Sequence, residues 1–283
     1  MNEIAQEFIT WILDLYDATI EEAADKLSYS LTGKLSSAHD MSYNINNDVI
    51  IPIACQIIAL CFLIEFLKIL NRDKLLKIET FVKIAFLVGL AKSAVNYSFT
   101  FCEAIYNTCC DMIVNANDLF QASQASVKTD YTAVIDAFED LGVIESIGVI
   151  IFSIPMIFVI FACVLAIQFI MWARYFEILI LMCGCAIPMA FIPLGASTDY
   201  QTGHMVKGYF INFTAVCLQG LVIIAAFAIS RCIVSGQLIG SMGSGESGVV
   251  AVCVGLSSIT VICLVLVVSL FKSQQYALKW FGQ

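Results

Sequence analysis

Long apolar runs separated by short polar segments dominate the chain from Val49 onward. A helix needs about 20 apolar residues to cross about 30 Å of hydrocarbon, and six runs approach that length. They predict membrane spans at 49–70, 79–101, 144–171, 175–194, 209–230 and 249–271. The pattern is typical of an all-α, polytopic helical membrane protein with five or six transmembrane helices.

The number of spans depends on the fourth run. Residues 175–194 contain Pro188 and Pro193, and a proline inside a membrane helix breaks its hydrogen-bond ladder. If this run crosses the membrane there are six spans. If it is re-entrant there are five, and Lys207, Lys272 and Lys279 then lie in the cytoplasm. A short turn is predicted at residues 172–174, between the third and fourth runs.

A different periodicity marks the first 48 residues. Apolar residues recur there at steps of three and four, which predicts an amphipathic helix of about eight turns. Its polar face is acidic, unlike the lysine-rich face of helices that bind anionic lipid. We expect this helix to lie on the membrane surface or to pack against neighbouring subunits.

Composition excludes a soluble domain. The chain is 60% hydrophobic and 13% charged, whereas soluble domains average about 45–50% apolar and about 25% charged residues. The net charge of −9 also argues against static binding of DNA through a basic surface.

The charges are distributed unevenly, which predicts the topology. The loop between the first two runs and its edges carry a basic cluster, which marks a cytoplasmic loop: Lys68, Arg72, Lys74, Lys77 and Lys83. We therefore divide the chain into an acidic extracytoplasmic N-terminal region (1–48), a first transmembrane hairpin (49–101), an acidic extracytoplasmic loop (102–143) and a core transmembrane bundle with a short tail (144–283).

No arrangement of residues suited to catalysis is present in the sequence. His39 and His204 lie in separate loops, and the twelve cysteines lack metal-ligand spacing. We expect a protein without enzymatic activity, cofactor or metal. Cys102, Cys109 and Cys110 lie near an aqueous boundary, where they are either thiols or members of a disulfide.

Three charged residues fall inside the predicted spans. Inserting a charged residue near the centre of the membrane costs at least about 2.5–3.5 kcal/mol of free energy. Glu65 and Lys83 reach similar depth, which predicts an ion pair that braces the first hairpin. Lys92 lies some 13 residues into its span, too deep to reach the inner surface. It faces a subunit interface, a lipid phosphate at the outer side, or a hydrated pathway.

One stretch has the pattern of a known family. Residues 172–227 read WARYFEILILMCGCAIPMAFIPLGASTDYQTGHMVKGYFINFTAVCLQGLVIIAAF. Arg174 is followed by Glu177, an apolar run reaches Pro188, and Lys207 precedes an aromatic residue. This order resembles the TrbL-like polytopic subunit of bacterial type IV secretion systems, the machines that move DNA in conjugation.

The resemblance implies a non-enzymatic scaffold and channel subunit of the bacterial inner membrane. Several copies would surround a translocation path in the membrane lipid, together with other membrane and outer subunits. Separate ATPases would supply the energy. DNA (or protein) would contact the subunit only transiently. Arg174 and Glu177 would then form an ion pair that closes the turn at 172–174 and aligns a conduction or assembly surface. A purely structural salt bridge at an interface is the alternative interpretation.

A second class of function fits some of the same residues. A secondary transporter or ion channel would place its site near Lys92 and the helix broken at Pro188 and Pro193. Transporters usually contain an internal repeat, and the two halves of this chain show no convincing similarity.

Overall fold

The computed structural model describes residues 2–71, 78–124, 143–196, 201–242 and 248–282. The described residues are helical and contain no strand, which confirms the all-α prediction. The α-helices are α1 (Asn2–Leu27), α2 (Ser36–Ile45), α3 (Ile51–Asn71), α4 (Ile78–Asn96), α5 (Ser98–Gln124), α6 (Val143–Gly184), α7 (Ala186–Ala190), α8 (Gln201–Met242), α9 (Gly248–Phe271) and α10 (Ser273–Trp280). A π-helical turn (Asn46–Ile50) joins α2 to α3, and a 3-10 turn (Ile192–Ala196) follows α7.

Among the described residues, four helical segments are long and apolar enough to cross a membrane: Ser36–Leu67, Ile151–Leu194, Met205–Val234 and Cys253–Phe271. A fifth is possible if α4 and α5, which are bent by 56° where they meet, form a single span (Ile84–Asn96 with Ser98–Ala122). The described residues therefore give four spans, or five with the bent pair, and five is the smaller of the two predicted numbers.

The predicted turn at residues 172–174 is wrong. Helix α6 is continuous through these residues, so the third and fourth apolar runs begin as one helix. Its 42 residues extend about 63 Å, roughly twice the hydrocarbon thickness. The prediction treated Arg174 as a membrane boundary, whereas this side chain is 2% exposed and donates a hydrogen bond inside the protein, to the carbonyl of Cys217.

Proline does interrupt the segment that follows. Helix α6 ends at Gly184, and the chain continues as the five-residue α7 and the 3-10 turn. Pro188 has no N–H, so it cannot bond to the carbonyl of Gly184, and its ring would clash with that carbonyl. The break predicted from Pro188 and Pro193 is therefore real, although it lies at the end of α6 rather than inside a separate span.

Residues 102–124 are helical, not part of a loop as the predicted 102–143 segment implied. They belong to α5, whose apolar side supplies the buried Tyr106, Ile113 and Phe120. Because α5 also carries many polar residues, its sequence lacks the uniform hydropathy of a span. The remainder, 125–142, lies outside the described residues, and the extracytoplasmic location stays a prediction.

The predicted N-terminal amphipathic helix is α1. Tyr16, Ile20, Ala23, Ala24 and Leu27 are buried on one face, at the spacing expected of a helical stripe. These residues join a core with side chains of α5, α6, α8 and α9. The apolar face of α1 thus packs within its own chain.

The chain forms two compact units, each built from three stretches. Unit 1 comprises Met1–Ser28, Met112–Ala173 and Gln219–Tyr276, and the stripe of α1 lies in its core. Unit 2 comprises Tyr29–Asp111, Arg174–Leu218 and Ala277–Gln283. One core cluster of unit 2 includes Phe99, Tyr106, Tyr175 and Phe213, and a second joins α3 and α4 to α7.

Candidate functional site

Arg174 is a buried charge in unit 2. Helix α6 places its side chain in the core, where Nη2 donates a hydrogen bond of 3.1 Å to the backbone carbonyl of Cys217 in α8. Its guanidinium carbon also lies 5.6 Å from the ring centroid of Tyr175. Among the described residues, Nε and Nη1 have no hydrogen-bond partner. A buried guanidinium with two unsatisfied donors is costly, so a role beyond packing is expected for Arg174.

Aromatic and thiol groups surround Arg174. Tyr106 of α5 is buried and donates a hydrogen bond of 2.8 Å to the carbonyl of Tyr29. Cys109 of α5 and Cys217 of α8 are buried in the same core cluster. We call Arg174, Tyr106, Tyr175, Cys109 and Cys217 the Arg174 cluster. It joins α5, α6 and α8 around the guanidinium.

The other residues of the resemblance lie on nearby elements of unit 2. Glu177 is half-buried one turn after Arg174, and the ion pair between them stays a prediction. Pro188 is half-buried in α7, while Lys207 is exposed on α8. Val206, which precedes Lys207, packs on the core cluster that contains the buried residues of α7. The structure therefore brings the elements of Pro188 and Lys207 together.

The end of α6 is capped by side chains that the sequence did not reveal. The last carbonyls of a helix lack partners within it. Tyr209 of α8 donates to the carbonyl of Leu181 at 2.7 Å, and Nδ2 of Asn46 donates to the carbonyl of Cys183 at 2.7 Å. Asn46 is 1% exposed. The sequence does not single out Asn46, because Asn44 and Asn47 are amides in the same segment.

Unit 1 contains a half-buried arginine that the sequence analysis missed. Nη2 of Arg231, near the end of α8, donates to the backbone carbonyl of Asp17 in α1 at 3.1 Å. The same atom lies 3.5 Å from Oδ1 of Asp17 and 3.8 Å from Oε1 of Glu21. The guanidinium lies 5.4 Å from the ring centroid of Phe120. The sequence did hint at this contact, because Arg231 follows a long uncharged run and α1 is rich in acidic residues.

Further polar contacts hold α1 in unit 1. Nζ of Lys26 lies 2.7 Å from Glu22 and donates to Oε1 of Gln168 in α6 at 2.9 Å. Asn117 of α5 donates to Oδ1 of Asp25 at 3.4 Å. Burial raises the pKa of Tyr16, so its hydroxyl stays protonated. Helix α1 is thus fixed by both its apolar and its polar faces.

The three predicted intramembrane charges have different environments. Glu65 of α3 is buried, with 2% exposure. The side chain of Lys83 lies outside the described residues, so the predicted pair of Glu65 and Lys83 stays a prediction. Lys92 of α4 is exposed, and so is Asn96 one turn later. Lys92 therefore lies on the outer surface of its own chain.

The cysteines of the described residues show no metal or disulfide chemistry. Cys102, Cys109 and Cys110 are free thiols, and the first two are buried. Within the described ranges, no group of three or more His, Cys, Asp or Glu side chains is arranged to hold a metal ion.

Comparison with known proteins gave one result. The profile of the family described as "TrbL/VirB6 plasmid conjugal transfer like protein" matches residues 17–186. No curated protein and no solved structure matches the chain. The matched region contains residues 17–27 of α1, all of α2 to α6, Arg174 and Glu177.

Proposed function

Because the chain belongs to the TrbL/VirB6 plasmid conjugal transfer like family, we propose that it is a scaffold and channel subunit that helps to form the path for DNA (or protein) across the cytoplasmic membrane. The observation that carries this proposal is the family match, which covers more than half of the chain. The family is a structural component of conjugal transfer systems rather than a known enzyme family. Other membrane and outer subunits and separate ATPases complete the machine.

The surface of α4 supports an oligomer around a hydrated path. Lys92 and Asn96 are exposed one turn apart in a candidate span, and a charge that faces lipid at this depth is costly. In a ring of identical copies, these two residues would face water or a neighbouring copy instead. Of the three environments predicted for Lys92, we favour the hydrated path.

The Arg174 cluster supports a scaffold role. Arg174 links α6 to α8, and the caps of Asn46 and Tyr209 fix the end of α6 in the same unit. Most of α6 belongs to the longest candidate span, Ile151–Leu194, and all of α6 lies within the family match. We propose that Arg174, Glu177, Pro188 and Lys207 hold α6, α7 and α8 in the arrangement that assembly requires.

We place the chain in the inner membrane of a bacterium, with the N-terminus extracytoplasmic. The support is the distribution of charge: basic residues border the α3–α4 connection, while nine carboxylates lie in residues 1–48. By the positive-inside rule the basic connection is cytoplasmic.

A transfer assay with thiol labelling tests the proposal. Donor cells that lack the gene are complemented with the wild-type chain, with Lys92→Cys or Asn96→Cys, or with the matched controls Phe86→Cys and Leu90→Cys, which are exposed on the same helix. We expect deletion to abolish conjugal transfer. A membrane-impermeant thiol reagent should label positions 92 and 96 but not positions 86 and 90, and labelling should inhibit transfer.

Two results would contradict this function. Ordinary transfer by the deletion strain would exclude the secretion role altogether. Absence of labelling at positions 92 and 96, with transfer intact in these variants, would exclude the hydrated path at α4 while leaving the scaffold role.

The alternative of a secondary transporter or ion channel has one structural observation in its favour. Ala91, next to Lys92, packs in the same core cluster as Ala186, Met189 and Ala190 of the proline-broken segment. A transporter predicts that deletion changes the uptake of a solute or ion and leaves conjugal transfer normal. Measuring both in the same deletion strain separates the two functions.

A further inference from the structure

A groove lies between α8 and α9 within unit 1. Its volume is about 280 Å³. The two helices run antiparallel, since Gln219 of α8 donates to Ser273, just after the end of α9, at 2.8 Å, and only five residues separate the end of α8 from the start of α9. The α8 side follows a single helical stripe from Val222 to Ile233, and the α9 side runs from Ile262 to Ser269.

Small side chains open the groove and large ones form its edges. Ala225, Ala226, Ser230 and Ser269 line it, so the two helices do not fill the space between them. Ile229, Ile233 and Val265 at the edges are exposed, which means that the groove opens toward the outside of the chain. Both helices are candidate membrane spans, so the opening faces hydrocarbon.

The two ends of the groove differ chemically. At the Ile233 and Ile262 end the lining is apolar. At the other end the lining includes Tyr276. Lys272 is exposed one helical turn away, since the amide of Tyr276 bonds to the carbonyl of Lys272 at 3.1 Å. The groove is thus an apolar slot with a tyrosine in its lining and an exposed lysine nearby at one end.

We propose that this groove binds one acyl chain of an anionic phospholipid, whose phosphate lies beside Lys272 and Tyr276. An apolar slot with a cation at one mouth matches an apolar tail that carries a charged head. Aromatic residues and lysines at the ends of spans commonly contact headgroups. The site does not depend on the function proposed above.

The dimensions agree with this ligand. From Val222 to Ile233 the stripe rises about 17 Å, about half of the hydrocarbon thickness. The groove has about 280 Å³, which suits a single extended chain.

The test uses the full chain, purified in mild detergent and then reconstituted in nanodiscs of phosphatidylcholine with a minor fraction of phosphatidylglycerol. Lipid that remains bound after return to detergent is counted by mass spectrometry. The variant Ala225→Trp fills the groove. Its matched control is Ala162→Trp, because Ala162 is also exposed in a candidate span but lies on α6, outside the groove. Lys272→Gln removes the cation and Lys272→Arg keeps it.

We expect wild type, Ala162→Trp and Lys272→Arg to retain about one phospholipid per chain, enriched in phosphatidylglycerol. Ala225→Trp should lose most of this lipid, and Lys272→Gln should lose the preference for phosphatidylglycerol. Circular dichroism checks that each variant is folded, and only folded variants are compared. Equal lipid retention by Ala225→Trp and wild type would overturn the proposal. A loss of oligomers in Ala225→Trp without loss of lipid would also overturn it, and would assign the groove to a second copy.

Discussion

Arg231 of α8 and Asp17 of α1 are joined by a hydrogen bond of 3.1 Å between the guanidinium and the backbone carbonyl. The carbonyl is fixed by the helix, so the bond persists for any side chain at position 17. The carboxylates of Asp17 and Glu21 also attract the guanidinium of Arg231. The contribution of Glu21 is small, because its side chain is exposed to solvent. Arg231 therefore attaches the acidic N-terminal helix to the end of a membrane span.

The first prediction concerns this attachment. In Arg231→Gln, α1 should separate from the rest of unit 1 more often, because a hydrogen bond to a charged group is worth about 1.5–3 kcal/mol. That range corresponds to roughly tenfold to hundredfold faster opening. Hydrogen exchange of the amides of α1, measured by mass spectrometry on the protein in detergent, reports the opening.

Asp17→Asn is the matched control for Arg231→Gln. It removes a charge but keeps the backbone carbonyl, so exchange in α1 should rise much less. Equal exchange in Arg231→Gln and wild type would show that the apolar stripe of α1 holds the helix without Arg231.

The sequence predicted the elements that depend on local composition. The run 249–271 has no charged residue, and it coincides almost completely with α9 (Gly248–Phe271). The stripe that includes Ile20, Ala23 and Leu27 predicted α1 correctly. In both cases the hydrophobic period alone decides the structure.

Elements that depend on distant partners were not predictable in this way. Arg174 looked like a membrane boundary because its partner, the carbonyl of Cys217, is 43 residues away. Arg231 and Asp17 are separated by 214 residues. The side chain of Asn46 bonds to the carbonyl of Cys183 at the end of α6, and these two residues are 137 positions apart. A single sequence does not identify which two residues form such a pair, so the candidate site emerged only in part.

The second prediction separates a functional from a structural role of Arg174. Replacing a buried charge with an apolar side chain of similar length is often neutral or stabilising. Arg174→Met should therefore fold, with a thermal midpoint close to that of the wild type in detergent, yet it should fail to support conjugal transfer. Normal transfer by Arg174→Met would show that Arg174 serves packing alone.

The third prediction concerns the cap at the end of α6. Asn46→Ala leaves the carbonyl of Cys183 buried and unsatisfied, which costs about 1–3 kcal/mol. The thermal midpoint in detergent should fall accordingly. Asn47→Ala is the matched control, because Asn47 is adjacent and exposed and its loss should have little effect. Similar midpoints for the two variants would refute the capping role of Asn46.

The fourth prediction concerns the number of spans. The described helices give four spans, or five if the bent pair of α4 and α5 crosses the membrane once. With five spans the two ends of the chain lie on opposite sides, and with four they lie on the same side. The exposed Lys272 and Lys279 follow the last span, and the positive-inside rule assigns them to the cytoplasm. Since the N-terminal region is acidic and placed outside, charge favours five.

Reporters fused after Trp280 measure the side directly. We expect a green fluorescent protein to be fluorescent there and an alkaline phosphatase to be inactive, because both results indicate a cytoplasmic end. The same pair of reporters fused before α1 should give the opposite activities. An active phosphatase at both ends would mean that α4 and α5 do not cross the membrane together. Lys92 would then lie in a re-entrant segment, and the hydrated path would have to be sought on another helix.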